Sequence, residues 1–370
     1  MATELTKSNR IEEIDVIKAL AIICMVWGHI GLPGTNFVYR FHMAVFFICS
    51  GIVYKEKYSD SISAVWRFTK NKILSLYVPY AMCAVLFTLF NNFFLWIGFY
   101  NPEDCPYLSI SQIVIDCIRA LLFVRGTQLG GATWFLRTLF FVSELFVFLD
   151  FLFRKWCVKF RYLIQFGLSL VFLILFYFLR QLLTIKFLYT FIGSFVLGYS
   201  AFCMGKLIAS FDVVKKLKSL KPLPHIFILS LTVLILFFFN ASGRVDIDRG
   251  NFKDPLFFIS MSVSGFLFLF YIAYCICLVR SLKNGMLIIG QNTLSIVLLH
   301  LLIFKCMNVF FVNLLGLDRN LTSAFPTLYA ECGEPKFFVG GGYLCIGIFI
   351  PIALNLCKKK LIALWKGRHK

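Results

Sequence analysis

The sequence predicts an all-α membrane protein, a polytopic bundle of about ten transmembrane helices with both termini in the cytoplasm. Of its 370 residues, 60% are hydrophobic and only 15% are charged, whereas soluble proteins carry about 25% charged residues. Long apolar runs recur along the whole chain, and short clusters of lysine and arginine separate them. This alternation is typical of a multi-pass helical membrane protein.

Ten apolar runs have roughly the length that a helix needs to cross a bilayer, about 17 to 25 residues. The second run is short, so we expect it to extend into flanking residues or to lie partly buried between neighbours. All ten would form a single membrane domain over residues 1–370 without an appended soluble domain, because the longest polar stretch is too short to bury a core. The predicted spans are residues 13–32, 41–54, 73–99, 132–153, 162–180, 187–208, 224–241, 255–279, 287–313 and 337–357.

The formal net charge of +19 could suggest a nucleic-acid partner, but the positions of the basic residues exclude one. With the N-terminus inside, most lysines and arginines lie in segments that face the cytoplasm, as the positive-inside rule predicts. We therefore expect a multi-pass protein of the cell membrane, the inner membrane in a bacterium, that contacts the lipid bilayer and no nucleic acid.

The predicted outer loop at residues 100–131 is long. It has an amphipathic stretch from Ser109 to Val124 and ends in the flexible GTQLGGAT, so it could lie on the membrane surface and cover a site. The outer loops at 242–254 and 317–336 are shorter and mixed in charge. Cys105 and Cys332 fall in outer loops and could form a disulfide; the cysteines show no CxxC pair, and no metal site is expected.

The first span opens on an acid and a base, Asp15 and Lys18, and closes on His29, in DVIKALAIICMVWGH. At about 1.5 Å per residue, Lys18 and His29 lie roughly 16 Å apart along the axis, about half of a bilayer core of roughly 30 Å. An ionisable ring at that depth indicates function, although a histidine can also serve only a helix–helix hydrogen bond. The run lacks a small-residue cleavage site, so we expect it to be retained rather than removed as a signal peptide.

The second predicted span opens on another histidine, His42, in HMAVFFICSGIVY. Few residues join the first two spans, so they should be antiparallel neighbours with His29 and His42 both toward the outer half. Two imidazoles there could divide a general-base role and an orienting role toward a hydroxyl. His42 could equally be an interfacial side chain that reaches headgroup water.

The fourth span follows a glycine-rich approach, in GGATWFLRTLFFVSELF, and begins near Trp134. Arg137 and Glu144 are about two helical turns apart and share a face. A mid-span carboxylate must be paired, protonated or in a water-filled cavity. Glu144 could therefore be catalytic, or it could be the structural partner of a basic residue such as Lys18 or Arg137.

A basic cluster, Arg67, Lys70 and Lys72, precedes the third span. At the cytoplasmic entrance of a helix it could hold the phosphates of a nucleotide-containing donor. Positive-inside charge alone also explains the cluster, and lipid phosphates could occupy it.

Five motifs follow one another between Asp15 and His300. They are DxxKAxAIxxxxxGH, HMxxFFxxSG, a basic loop that ends in a Pro-Tyr pair, WFLxxLF followed by a glutamate, and GxxTLSIxxLH. The set resembles the acyltransferase-3 family of integral-membrane acyltransferases, and most closely the branch described as fucose 4-O-acetylase and related acetyltransferases. By position, Lys18 fills the basic site of the family's first-helix motif and His29 its essential histidine. Many members have arginine in place of Lys18, and lysine keeps the charge but loses the bidentate fork.

The resemblance implies a ten-helix enzyme that transfers an acyl group, usually acetyl, from cytoplasmic acyl-CoA to a hydroxyl of a glycan or glycolipid. Acetyl-CoA would be a donor substrate, not a permanently bound cofactor. His29 would act as general base or carry the acyl group itself. The expected catalytic residues are His29, Lys18, His42 and Glu144. The residues expected to bind acyl-CoA are Asp15, Arg67, Lys70 and Lys72. Trp134, Arg137 and His300 are expected to contact the substrate or to be structural.

Two other classes stay open. A transporter or flippase for a glycolipid or polyprenyl-linked sugar also fits ten spans, intramembrane histidines and a basic inner face, although Gly and Pro breaks do not recur at matching positions in two halves. A non-catalytic scaffold in a glycan-assembly complex fits less well, because the spans carry ionisable residues. A homo-oligomer or a glycan-assembly partner is compatible with each class.

Overall fold

The computed structural model describes residues 11–124, 126–156, 160–238, 243–333 and 336–368. Within this part of the chain no strand forms, and the only β-type pairing is an isolated bridge between Asp246 and Asn251. Short 3₁₀ turns and one π-helical segment, Ile73–Tyr77, supplement the α-helices. The α-helices are α1 Glu12–Ile30, α2 Thr35–Val38, α3 His42–Ile52, α4 Ile62–Lys72, α5 Val78–Leu89, α6 Asn91–Trp96, α7 Ile110–Leu121, α8 Trp134–Trp156, α9 Arg161–Leu179, α10 Lys186–Ser210, α11 Val213–Lys218, α12 Pro222–Phe238, α13 Pro255–Leu278, α14 Arg280–Gln291, α15 Thr293–Leu315 and α16 Lys336–Arg368.

Every predicted span coincides with at least one helix, and the third, ninth and tenth differ most in extent. The tenth helix, α16, continues to Arg368, well beyond the predicted end at residue 357. The π-helical segment joins α4 and α5 into one rod, so the third helix starts before residue 73. The ninth span is broken at Asn292, where the side-chain Nδ2 donates to the Ile288 carbonyl at 2.7 Å; such local bonds compete with the regular helix ladder. Residues 239–241 of the seventh predicted span lie outside the described residues.

Six helical rods in the described ranges are long and apolar enough to cross a membrane. Helices α1 and α8 have similar length, but each carries several charged side chains. The helices therefore indicate a multi-pass membrane protein, while the full set of ten spans and the side of each terminus stay predictions. The six rods are Ile62–Leu89, Arg161–Leu182, Lys186–Ser210, Pro255–Leu278, Thr293–Leu315 and Lys336–Trp365.

Helix α1 packs against α3, α13, α14, α15 and α16 and so runs through the interior of the bundle. Its closest neighbour is α14, because Gly290 touches the backbone of α1. A Cβ atom at Gly290 would lie 2.0 Å from the carbonyl oxygen of Asp15. Glycine at such a contact lets two helix backbones approach closely. This contact fixes the charged start of α1 inside the bundle.

We call the end of the bundle where α1 begins the inner end, and the end where α1 finishes the outer end. Helix α16 runs antiparallel to α1: Gly340 packs on Leu32, and further along, Asn355 donates to the side-chain oxygen of Asn292 at 2.6 Å. The described chain therefore begins and ends at the inner end. Ion pairs gather there, including Lys283 with Glu12 at 2.8 Å.

Replacing Gly290 by alanine is expected to lower the melting temperature of the purified protein in detergent, because the new Cβ would overlap the Asp15 carbonyl and force α14 away from α1. Overpacking of this kind costs about 1–3 kcal/mol. Gly285→Ala is the matched control, since Gly285 lies on the same helix in open space. Tryptophan fluorescence during heating measures both variants, and equal melting temperatures would contradict the close contact.

Candidate active site

A cavity of about 490 Å³, here called the histidine cavity, lies at the outer end of the bundle. His29 in the last turn of α1 and His42 at the start of α3 both line it. Loops between helices form the rest of its wall. The remaining lining residues are Met25, Tyr39, Met43, Gly131, Ala132, Trp134, Arg244, Val245, Asp246, Ile247, Asp248, Arg249, Leu301, Phe325 and Pro326.

A third histidine, His300, lies against His29. Its ring centroid is 5.2 Å from that of His29, with the two planes at 41°. His300 is fully buried, and Phe304 packs edge-on against its ring with centroids 5.6 Å apart. The bundle thus holds two histidines in the cavity wall, His29 and His42, and a third, His300, behind His29.

Backbone carbonyls fix the tautomer of two of these rings. The Nδ1 atom of His300 is 2.7 Å from the Ile296 oxygen, and that of His42 is 2.8 Å from the Val38 oxygen. A carbonyl oxygen only accepts, so Nδ1 donates in both, and Nε2 of each neutral ring is an acceptor. The Nε2 of His300 is buried without a hydrogen-bond partner among the described residues. If the His29 nitrogen that faces His300 Nε2 carries the proton, the other His29 nitrogen is left to act as a base.

Two arginines tie the segment 243–250 over the histidine cavity. Arg40 is only 1% exposed and donates from Nε to the Gly243 oxygen at 3.2 Å. Arg244 donates from Nε to Oδ1 of Asn36 at 2.8 Å. Both bonds anchor the start of this loop, at Gly243 and Arg244, so that the residues that follow form a wall of the cavity.

Four charged residues of this segment line the histidine cavity: Arg244, Asp246, Asp248 and Arg249. Burial, and next the negative charge of Asp246, raises the pKa of Asp248 above its ordinary value. Burial, together with the charge of Asp248, also raises the pKa of the Tyr39 hydroxyl. Tyr39 therefore stays a neutral phenol that can donate a hydrogen bond into the cavity.

A second cavity of about 240 Å³, here called the lysine cavity, lies nearer the inner end on the same four helices, α1, α3, α8 and α15. Lys18 and Asp15 line it, and the Lys18 Nζ is 3.5 Å from Oδ1 of Asp15. The two cavities are thus stacked along the bundle. Lys18 lies in one and His29 in the other, roughly 16 Å along α1.

Aromatic side chains separate the two cavities. Phe46 and Phe135 line the lysine cavity with ring centroids 5.4 Å apart. Their neighbours one turn or less toward the outer end, Met43 and Trp134, line the histidine cavity instead. The predicted residue Trp134 therefore does reach the candidate site.

A third cavity of about 160 Å³ meets the lysine cavity at Ser50, which lines both. Lys72 lines this third cavity, and its ammonium group lies 5.2 Å from the ring centroid of Phe68. Arg67 and Lys70 are exposed on α4. Of the predicted basic cluster, only Lys72 faces inward.

The structure does not bring Glu144 or Arg137 to the histidines. Thr69 donates from Oγ1 to Oε2 of Glu144 at 2.5 Å, and the charge of Glu144 interacts with that of Lys72. Arg137 donates from Nη1 to the Phe123 oxygen at 3.3 Å. Glu144 thus lies beside the basic cluster, and Arg137 anchors the loop before α8.

The segment 244–249 and Tyr39 are not among the residues that the sequence patterns single out. Both lie between predicted spans. The one available signal is the density of charge, since RVDIDR holds four charged residues in six positions. A short loop with that composition next to an intramembrane histidine is a candidate site wall.

The family model for the acyltransferase-3 acyltransferase domain matches residues 11–356. The chain belongs to the acyltransferase-3 family. It is therefore a membrane acyltransferase, and the family resemblance of the five motifs is confirmed, while the fucose 4-O-acetylase branch stays a prediction. No curated protein and no solved structure matches the chain.

Asp248→Asn is expected to stabilise the acyltransferase at neutral pH. A folded-state pKa above the ordinary 3.8 means that the folded protein holds this proton more firmly than the unfolded chain. Stability therefore falls as pH rises through the interval between the two pKa values, and the deficit persists above it. Asparagine cannot ionise, whereas Asp248 is protonated and uncharged in both states at low pH. The gain in stability from Asp248→Asn should therefore vanish as pH falls below about 4.

Melting temperatures in detergent across a pH series measure this difference. Glu103→Gln, at an exposed position in the outer loop, is the control and should match the parent protein at neutral pH. A benefit of Asp248→Asn that is the same at every pH would contradict the assigned cause.

Proposed function

We propose that this acyltransferase moves an acyl group, most simply acetyl, from cytoplasmic acyl-CoA to a hydroxyl of a cell-surface glycan or glycolipid precursor. The observation that carries the proposal is the stacking of the lysine and histidine cavities on the same four helices. A donor from the inner end and an acceptor from the outer end would meet at His29.

The donor is anionic, and the inner cavities carry the cations. Lys72 in the third cavity would attract its phosphates, and exposed Arg67 and Lys70 would add charge at the entrance. The acyl-bearing arm would pass Lys18 toward His29. Phe46 and Phe135 would have to move aside to admit the thioester.

In the transfer step, His29 takes the proton of the acceptor hydroxyl as the oxygen attacks the thioester carbonyl carbon. The new C–O bond forms, the C–S bond breaks, and the coenzyme A thiolate leaves with the proton from His29. His300 would act as a positioning residue, because its buried Nε2 can accept from His29 and hold the ring in the basic tautomer. Tyr39 can donate to the sugar or to the developing oxyanion.

We further propose ten spans in one domain, with both termini in the cytoplasm, in a bacterial inner membrane. This topology is supported by the start of α1 and the end of α16, which share the inner end, and by the basic residues there. The paired cavities would then connect the cytoplasm with the outer face.

His29→Ala is expected to lower transfer from radiolabelled acetyl-CoA to membrane glycans by at least about 100-fold, the usual range for loss of a general base. His225→Ala is the control, because His225 packs on Tyr271 and Tyr274 far from the cavity. Normal transfer by His29→Ala at normal expression would refute the mechanism. A transporter or flippase would give no label incorporation with the parent protein either.

His300→Phe is expected to lower kcat by about tenfold or more with little change in KM for acetyl-CoA, because a phenyl ring cannot accept from His29. His300→Gln keeps an acceptor oxygen and should recover part of the rate. A purely structural role for His300 predicts instead that both variants lose protein yield and melting temperature together. Equal rates in the two variants would argue against the positioning role.

A further inference from the structure

A further cavity, of about 670 Å³ and with a polar lining, lies at the outer end beside the histidine cavity. We call it the lateral cavity. The loop after α6, the turn before α8 and the 320–325 segment enclose it. Its polar lining includes Thr88, Asn91, Asn101, Asp104, Asp116 and Gln128. A volume of this size falls within the range of about 300–1,000 Å³ that small-molecule sites occupy.

The two outer cavities share one side chain, Phe325, which lines both. The Phe325 ring is large and apolar, and 42% of it is exposed. The turn before α8 also runs along both cavities, with Gly126 in the lateral cavity and Gly131 in the histidine cavity. A molecule bound beside His29 could therefore extend past Phe325 into the lateral cavity.

Side chains of α15 hydrogen-bond to the backbone of the wall that carries Phe325. Lys305 is fully buried and donates to the Ser323 and Ala324 oxygens, each at 2.7 Å. Asn308 donates to the Ala324 oxygen at 2.8 Å and accepts from the Tyr343 hydroxyl at 2.5 Å. These bonds fix the backbone immediately before Phe325, so the junction of the two cavities is preformed.

The opposite wall is fixed in the same way. Asn91 donates to the Pro106 oxygen at 3.1 Å, and Asn92 both donates to and accepts from the Leu108 backbone, at 2.7 and 2.8 Å. These amides hold the loop that carries Asp104 over the cavity. The lateral cavity is thus bounded by anchored segments on both sides.

The lining suits a polyhydroxylated ligand. Amide and carboxylate side chains offer acceptors and donors to hydroxyl groups, and the Oε1 atom of Gln128 is buried without a hydrogen-bond partner among the described residues. An exposed aromatic ring provides an apolar face for the C–H side of a sugar. A lipid tail would find few apolar contacts here.

The charges narrow the ligand class further. Among the described residues that line the lateral cavity, every charged one is acidic: Asp104, Asp116 and Glu331. Of the nearby cations, Arg119 is paired with Asp116 at 3.2 Å and Lys305 donates to backbone oxygens behind Phe325. In the described part of the chain the carboxylates of the lining outnumber these two cations, so an anionic saccharide is disfavoured relative to an uncharged or amino sugar.

We propose that the lateral cavity binds the sugars adjacent to the acylated one, so that the acceptor is an uncharged or cationic oligosaccharide rather than a single sugar or an acidic polymer. This inference rests on the proposed function of the histidine cavity. It assigns Phe325 the role of the platform between the reacting sugar and its neighbours.

The test uses full-length protein in detergent and three probes. Two of them, a tetrasaccharide and the matching single sugar, come from mild acid hydrolysis of the alkali-treated envelope glycan. The third is tetragalacturonate. Gly126→Trp blocks the lateral cavity, since Gly126 lies in open space there, and Gly341→Trp is the control at an open position on α16. Gln128→Ala is a second, smaller change. Affinities are measured by calorimetry in the His29→Ala background, and transfer is measured with active His29.

We expect the tetrasaccharide to bind at least about tenfold more tightly than the single sugar, and Gly126→Trp to remove that difference in both binding and transfer. Gln128→Ala should reduce it, and Gly341→Trp should leave it intact. Equal binding of the two sugars, an undiminished preference in Gly126→Trp, or equally tight binding of tetragalacturonate would each overturn the proposal. Binding without any transfer by the parent protein would leave the subsite standing and count against the proposed function.

Discussion

The candidate site depends on one constraint: α1 must run unbroken from Glu12 to Ile30 through an apolar bundle while carrying charged groups at its start and a histidine near its end. Lipid and apolar side chains offer such groups no hydrogen bonds, so each needs an internal partner or a cavity. At the start, Lys18 lies beside Asp15, and Gly290 brings α14 against the same turn. At the end, His29 faces a cavity and has His300 behind it.

Two loops that form the outer walls of the site are held by the same kind of bond, from a buried cation to a backbone carbonyl. Two buried cations, Arg40 in the turn before α3 and Lys305 on α15, donate to loop carbonyls. A cation has only donors, and a carbonyl has only acceptors, so each bond satisfies both groups without placing a further charge in the interior. The loops that carry Asp248 and Phe325 are thereby anchored over the cavities.

The long helices could be predicted from the sequence because apolar runs set helix length directly, and the place of His29 follows from its distance along a single helix. The contact between His29 and His300 could not be predicted in the same way, since it depends on how α15 packs against α1. Glu144 illustrates the opposite case: its depth in the span is visible in the sequence, but its neighbours are Thr69 and Lys72 rather than a histidine. Asp248 lies in a loop whose path over the cavity is set by Arg40, a partner some 200 residues away.

The distribution of charge differs along the route that the proposed reaction would take. Lys18 lies beside Asp15 in the lysine cavity, and Lys72 lines the third cavity, where it suits an anionic donor. Carboxylates line the lateral cavity and stand beside arginines in the wall of the histidine cavity. An anionic donor that reached His29 would meet increasing negative charge beyond it and would be held back, while an uncharged acceptor would enter from the outer end without that cost. The same distribution favours release of the anionic product toward the inner end. In this scheme the residues around His29 set the chemistry, and the charges on either side of it set the direction from which each substrate arrives.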